Sequence, residues 1–395
     1  MIKAAVKHPR ALSPAEVAAW RAFCAVEPAF ANPLLGPDFA GLVGEVRDDA
    51  RVAILTRGKE LVGFLPFHSR PGGFARPIGS TFSDYHALVT APGERVDGAE
   101  ALAAARIRAF RFNGLIDPKG AFPEARPSEL EGYVITPDPS PEAYYEGLKA
   151  ANPKRFKNWR RLQNKLEREW GPPVMTPDDH CLETFEQLLA WKSEQFHRTG
   201  SHDVLRPSWA RELLERAFAR RDGALKGVMM TLRAGDRLVA GSFGVAVGGV
   251  CHGWISVFDP DCAVAGPGQI LALLTAEGLP PLGLRTYDLS PGYAHYKAPF
   301  ATGTVQVAEG LAGGRAAPSL DGMLALAGAD RIDALVRFRR RMDHIAAAEL
   351  SVGGRVRGVV EAIAGYGRRA ASREPVRTPS EAARVETAQP DMENA

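Results

Sequence analysis

The feature that most constrains this chain is a change of hydrophobic period between residues 227 and 279. Residues 227–233, 238–247 and 250–258 read as three consecutive apolar strands after a run of helical pattern. Their joints, Ala-Gly-Asp at 234–236 and Gly248-Gly249, are tight-turn chemistry, so the three strands form an antiparallel set. AVAGPGQILALLTAEGL (263–279) follows, with Gly-Pro-Gly opening a helix that closes at Gly278. A short β-like run then leads through Asp288 to a turn at Ser290-Pro291-Gly292, and on to His295, Tyr296 and Lys297 before Pro299. A further strand is expected near 303–307. Strands alternating with helices in this way set an α/β (α+β) unit.

Three amphipathic helices precede the strands. In KRFKNWRRLQNKLEREW (154–170), Phe156, Trp159, Leu162 and Leu166 share one stripe. Lys154, Arg155, Lys157, Arg160, Arg161, Lys165 and Arg168 stand against only Glu167 and Glu169. Residues 179–197 and 207–221 repeat the pattern, the latter with Pro207 near its start and Gly223 past its end.

The first third of the chain reads as a separate unit. Ser13 and Pro14 are the N-cap and first residue of a helix over 14–23, and a second short helix follows Pro37. RVAILT (51–56) and LVGFLPF (61–67) form a hairpin across Arg57-Gly58-Lys59-Glu60, with Pro66 marking an edge or a bulge. SDYHALV (83–89) is strand-like, 99–111 is an Ala-rich helix, and FNGLI (112–116) is another strand. The Pro/Asp/Ser-rich stretch 131–148 is the expected linker. The divisions are therefore 1–135, 140–310, a helical extension over 311–365, and a polar tail over 366–395 too poor in large apolar residues to pack. The extension holds a basic helix, 331–349, with Arg337, Arg339, Arg340 and Arg341 clustered.

Composition narrows the function classes. With 45% hydrophobic and 24% charged residues, the 395-residue chain has the make-up of a soluble globular protein of two domains. No apolar run reaches the ~18 residues of a membrane span, and the N-terminus lacks the apolar core of a signal peptide, so the expected location is cytoplasmic. Cys24, Cys181, Cys251 and Cys262 are scattered without metal or redox spacing, so reduced thiols and no metal are expected. The net charge of +3 is too small to imply nucleic acid by itself.

The order helix, helix, helix, antiparallel strands, Gly-Pro-Gly helix, strand and loop resembles a GNAT-type acyltransferase, and more narrowly the CelD-like and FemAB-like branch. The residues that carry it are LVAGSFGVAVGGVCHGWISVFDP (238–260), AGPGQIL (265–271) and DLSPGYAHYK (288–297). The hairpin strand LVGFLPF and SDYHALV resemble that branch's N-terminal lobe. The resemblance covers roughly residues 15–310. It implies two GNAT-like lobes, each a mixed, mostly antiparallel sheet flanked by helices, and acetyl-CoA or another acyl-CoA as donor to an amine or hydroxyl acceptor in polysaccharide or envelope metabolism. Pro291 stiffens a loop that is glycine-richer in many relatives, and the helix start is leaner in glycine than a typical GNAT pyrophosphate loop.

Acyl transfer from a thioester needs the pyrophosphate held, the carbonyl polarised and the acceptor deprotonated. Gly266, Pro267, Gly268 and Gln269 at a helix start offer free N–H groups and a favourable dipole for the first task, although a Pro-initiated helix alone has the same sequence. Backbone N–H groups of the preceding strand suit the second. For the base the candidates are Asp288, His295 and Tyr296, with Asp288 equally able to anchor its own turn. Lys297 suits a phosphate or carboxylate, and Asp84-Tyr85-His86 suits part of an acceptor site between lobes. Arg160 and Arg161 are either phosphate contacts or a solvated helix face. Three alternatives stay open: a FemAB-like transferase drawing on aminoacyl-tRNA, favoured by the basic helix; a non-catalytic scaffold acting through 331–341; and a basic helix resting on an anionic membrane surface.

Overall fold

The computed structural model describes residues 1–292, 294–313, 342, 345–350 and 353–360. The first unit runs β1 (Ile2–Lys7), α1 (Pro14–Val26), α2 (Pro37–Val46), β2 (Ala50–Arg57), β3 (Glu60–Arg70), β4 (Phe74–Pro77), β5 (Val89–Thr90), α3 (Gly98–Ala104), β6 (Ala109–Leu115) and β7 (Arg126–Pro127). The second runs β8 (Glu131–Ile135), α4 (Pro141–Ala151), α5 (Pro153–Trp170), β9 (Pro173–Thr176), α6 (Leu182–Thr199), α7 (Ser208–Ala219), β10 (Leu225–Ala234), β11 (Arg237–Val247), β12 (Val250–Phe258), α8 (Pro267–Gly278), β13 (Thr286–Gly292), α9 (Ala294–Lys297), β14 (Gly303–Val305) and β15 (Ala308–Ala312). The architecture is mixed α/β, with two sheets flanked by helices. One sheet has the order β1-β2-β3-β4-β6-β15-β7 with β5 on β3; the other is β14-β8-β13-β12-β11-β10-β9.

Local chemistry explains most of these elements. Ser13 caps α1 in a reciprocal capping box: Glu16 N–H donates to Ser13 Oγ, and Ser13 N–H to Glu16 Oε2. The β2–β3 hairpin closes at Arg57↔Glu60, with Gly58 in the left-handed region. Pro66 is in an interior strand, not at an edge. It falls between the residues of β3 that pair with β5 (Gly63, Phe64) and those that pair with β4 (Phe67 to Arg70), so on that flank no ladder bond is lost.

Three expectations are corrected. The stretch 131–148 is not a linker: Glu131–Ile135 alternates as a strand and pairs with β13 and β14, and Ser140 caps α4. Only the end of 83–89 is strand; His86 makes an isolated bridge to Leu115. The residues Ser290-Pro291-Gly292 do not turn but continue β13 through a bulge, with Ser290 at φ 65°. The two sheets also exchange chain at the borders drawn at 135 and 310. β8 belongs to the second sheet, and β15, beside β6, to the first. Of the extension 311–365 only part is described, and Arg337, Arg339, Arg340, Arg341 and the tail 366–395 lie outside the described residues.

The lobes share one core. Trp20, Phe39 and Phe64 of the first unit join Phe185, Phe243 and Trp209 of the second in one apolar cluster. A second core fills the space between α5, α8 and the second sheet, from Trp159, Leu162, Leu166, Ile270 and Leu271. Residues 345–350 lie across the junction, where Ala348 O accepts from Trp209 Nε1 and Ala347 O from Arg70.

Candidate active site

The second sheet opens at its middle. β12 and β13 pair in parallel at only three positions, Val250↔Thr286, Cys251↔Tyr287 and His252↔Asp288. Beyond them β12 continues to Phe258 and β13 to Gly292 without pairing to each other, so the strands part. α8 begins beside the parted end. A Cβ added at Gly268 would lie 3.2 Å from Phe258 Cδ1 and 3.3 Å from Tyr296 Oη, and one at left-handed Gly266 would lie 3.0 Å from Leu162 Cδ1. Both glycines let neighbouring elements close on the helix start. Gly266 O takes the N–H groups of both Gln269 and Ile270, and Gln269 Oε1 accepts from Trp159 Nε1 at 3.2 Å. The Gly268 N–H, with no such partner among the described residues, is the donor left to meet a phosphate. The donor set fits an anion, but more sparsely than four free N–H groups would.

At the fork sits a buried polar cluster built from both lobes. His252, 0% exposed, is its centre. Its Nε2 lies 2.9 Å from Asp84 Oδ2 and 3.1 Å from Ser290 Oγ. Its Nδ1 lies 3.1 Å from Asn32 Nδ2 and 3.7 Å from Asp288 Oδ1. Asp288 in turn accepts from Asn32 Nδ2 at 3.1 Å, from Tyr85 Oη at 3.1 Å and from Ser290 N–H at 2.7 Å. Tyr85 Oη reaches it across β8 because Gly132 has no side chain: a Cβ there would be 1.9 Å from that hydroxyl. Asn32 Oδ1 is committed to Leu34 N–H, which fixes the amide so that its NH2 faces the ring.

Electrostatics follow from this packing. Burial opposes charge on His252, but Asp288 and Asp84 outweigh it and lift the imidazole to about 9. Burial likewise disfavours the Asp84 carboxylate, yet His252 holds its pKa below the usual range. The ring has two fitting states. The neutral ring donates from Nε2 to Asp84 and accepts from Asn32 at Nδ1; the imidazolium gains a second carboxylate, Asp288, at 3.7 Å, but sets its Nδ1–H against the Asn32 amide NH2 at 3.1 Å. The two carboxylates favour the second. Asp84, with 34% of its side chain exposed, is the member of the triplet His252, Asp84 and Asp288 that meets solvent; Asp288 is 4% exposed. Ser290 Oγ donates to Gly253 O at 2.5 Å, so its hydrogen points away from His252 and it is not primed as a nucleophile.

The expected site residues divide accordingly. Asp84, Tyr85 and Asp288 come together, from opposite lobes. His86 does not join them: its ring is buried beside Phe110 and Phe112, neither ring nitrogen has a hydrogen-bond partner among the described residues, and burial pulls it down to about 3. Lys297 turns under β13, where its ammonium donates to the carbonyls of Leu289, Ser290 and Pro291. Burial lowers its pKa, opposed by Asp84 and Asp288. Tyr296 lies at the mouth, 38% exposed, beside Gly268. His295 falls in α9, with its side chain outside the described residues. Sequence reasoning missed His252, Asn32 and Ser290. The available signal was His252 itself, an imidazole inside the otherwise apolar strand VCHGWISVF, where burial demands partners.

Residues 153–298 match the model of the family described as the acetyltransferase (GNAT) domain. The stretch of the second unit from α5 to α9 is thus similar to a GNAT acetyltransferase domain. Among solved structures, the chain is similar to a tandem GNAT protein from the clavulanic acid biosynthesis pathway, with 13% identity over 81% of this chain and 100% of that one, at a TM-score of 0.46. It is also similar to FemX, with 11% identity over 78% of this chain and 96% of that one, at a TM-score of 0.48. No curated protein sequence matches the chain. Among the described residues no helix is long and apolar enough to cross a membrane.

Proposed function

We propose that the protein transfers an acyl group from an acyl-CoA, acetyl-CoA being the simplest, to an amine or hydroxyl acceptor held between the lobes. The observation that carries this reading is the parting of β12 and β13 after His252↔Asp288, with an uncapped α8 start beside the gap. Gly266, Pro267, Gly268 and Gln269 would hold the donor's phosphates, and N–H groups of β12 beyond His252 would face its thioester carbonyl. Asp84, exposed on one side and held ionised by His252 on the other, would accept the acceptor's proton as the new C–N or C–O bond forms and the C–S bond breaks. Asp288, Tyr85 and Asn32 would position His252. Lys297 and Tyr296 would shape the donor side, and His295 stands next to them in α9. The sequence resemblance to CelD-like and FemAB-like proteins supports an acceptor in polysaccharide or envelope metabolism. Calorimetry with acetyl-CoA tests this: the folded chain should bind it, and Asp84→Asn should keep binding while losing transfer. A folded chain with no heat of binding would overturn the reading.

A second reading, an aminoacyl-tRNA donor, has one observation in its favour. Lys154, Arg155, Lys157, Arg160 and Arg161 are exposed on α5 with no ion pair among the described residues, on a helix whose inner face packs against α8. A tRNA affinity that falls steeply with salt, in a chain indifferent to acetyl-CoA, would select it.

A further inference from the structure

Asp84 stands outside the strands, in a loop that starts at Gly79. The turn before it, Ser80–Phe82, is closed by two backbone bonds, Phe82 N–H to Gly79 O and Ser83 N–H to Ser80 O. Gly79 and Ser80 are both in the left-handed region. The next residue to pair with a strand is His86. The place of the Asp84 carboxylate is therefore set by the side chains that pack on this loop rather than by a ladder of its own.

Residues 345–350 reach that loop by two routes. In the first, Ala348 O accepts from Trp209 Nε1 at 2.9 Å, and the Trp209 ring meets Phe82 edge-on with centroids 5.9 Å apart. Phe82 lies two residues before Asp84. Its carbonyl accepts from Trp254 Nε1 at 3.1 Å, and Trp254 follows His252 by two residues on β12. In the second, Ala347 O accepts from Arg70 at 3.4 Å, and Arg70 and Arg47 both pair with Asp49. Asp49 lies 3.0 Å from His68 Nδ1, and His68 Nε2 accepts from Gly79 N–H at 3.0 Å. The routes are tied to each other, since the Arg47 guanidinium lies 4.5 Å over the Trp209 ring. Trp209, Phe82, Arg47 and His68 are all buried, so a shift at one end meets packed atoms along the way and is passed on.

The segment itself is lightly held. Met342 and Ile345 form a small apolar cluster with Val359, apart from the core that the lobes share. Its other anchors are polar: Glu349 lies 3.6 Å from His202 Nε2, and Arg355 donates to Glu349 O at 2.9 Å. With so little apolar surface of its own, the segment opens at lower cost than the lobes separate. We propose that residues 345–350 are a strap that sets, through Trp209 and the Asp49–His68 pair, how closely Asp84 approaches His252, so that Asp84 is in place to take the acceptor's proton only while the strap is docked. Trp209 and His68 are then positioning residues. The proposal deepens the acyl-transfer reading and rests on it for the proton transfer; the coupling between strap and Asp84 does not depend on it.

The test follows the His252 ring in the full chain labelled with 13C-histidine, its resonance assigned by its loss in His252→Gln. Asp288 and Asp84 both raise this ring, to about 9, and Asp288 is held separately by Tyr85 and Asn32. A fall in the midpoint therefore reports the withdrawal of Asp84. Ile345→Asp puts a carboxylate where the natural side chain is 1% exposed and should undock the strap. Trp209→Phe keeps a ring against Arg47 and Phe82 but loses the donor to Ala348 O. In both variants the His252 midpoint should fall by about one unit or more, and amide exchange over 345–350 should rise by about tenfold or more. The kcat for acetyl transfer should fall by about tenfold or more while acetyl-CoA affinity changes less than about threefold. Val356→Asp, at an exposed position of the helix that follows, should change none of these. If Ile345→Asp does not fold, Trp209→Phe decides alone. A natural His252 midpoint in either folded variant overturns the proposal, whatever its kcat. A chain whose midpoint follows the strap but which transfers no acyl group keeps the coupling and refutes only the acyl-transfer reading.

Discussion

The stability contributed by His252 should depend on pH in a direction fixed by its two carboxylates. The imidazole titrates at about 9 in the folded chain, against 6.5 for an unperturbed ring. A raised folded value means that the native state holds the proton more tightly. The stabilisation is therefore complete below about pH 6.5 and is lost as pH rises through about 9. Its size is about 3 kcal/mol, at 1.36 kcal/mol per tenfold change in proton affinity. Because His252 is fully buried, solvent screening does not reduce this further. The whole chain's pH profile will not show it cleanly, since Lys192 is depressed to about 8 and acts with the opposite sign. The difference between the natural chain and His252→Gln isolates it, because Lys192 is common to both. Urea unfolding from pH 5.5 to 10 should show the natural chain's advantage over the variant shrinking by about 3 kcal/mol, most of it between pH 6.5 and 9.5. A difference that stays flat, or that grows with pH, would mean that the ring is neutral throughout and that Asn32, not the carboxylates, decides its state.

Three further outcomes follow from individual contacts. Gly268→Val places a side chain against Phe258 and Tyr296 Oη, so acetyl-CoA affinity measured by calorimetry should fall by about tenfold or more while the far-UV circular dichroism is kept. Tyr85→Phe removes a buried donor to Asp288 and should cost about 1.5–3 kcal/mol in urea unfolding, because the acceptor is a charged, buried carboxylate. Lys297→Met leaves three carbonyls of β13 without their donor and should cost about 1–3 kcal/mol, with acetyl-CoA affinity changed less than about threefold. A tenfold loss of affinity there would instead assign the ammonium to the donor.

The sequence by itself determined the local elements. The capping box at Ser13, the hairpin across Gly58, the stripes of α5 and α6 and the Gly-Pro-Gly start of α8 are each set by residues a turn or two apart, so reading along the chain reaches them. The segment around Asp288 was legible as a place of interest for the same reason, though its turn was not. Whether Ser290-Pro291-Gly292 turns or continues a strand depends on β8 lying alongside, 159 residues earlier in the chain by the Pro291↔Gly132 pairing. Only the tertiary structure decided the site. Asp84 and Asp288 became partners because two lobes with one core bring them to the same imidazole, and Gly132 was needed to let Tyr85 through. Lys297, read as suited to a phosphate or carboxylate, instead meets carbonyls at and beside the bulge of β13. His86 and His252 are both single histidines amid apolar residues, and nothing local separates them. One is buried among phenyl rings, which pull its pKa down to about 3; the other lies between two carboxylates, which raise its pKa to about 9. Charge on a buried group is set by what the fold brings within a few ångström, and that is not written in its neighbours along the chain.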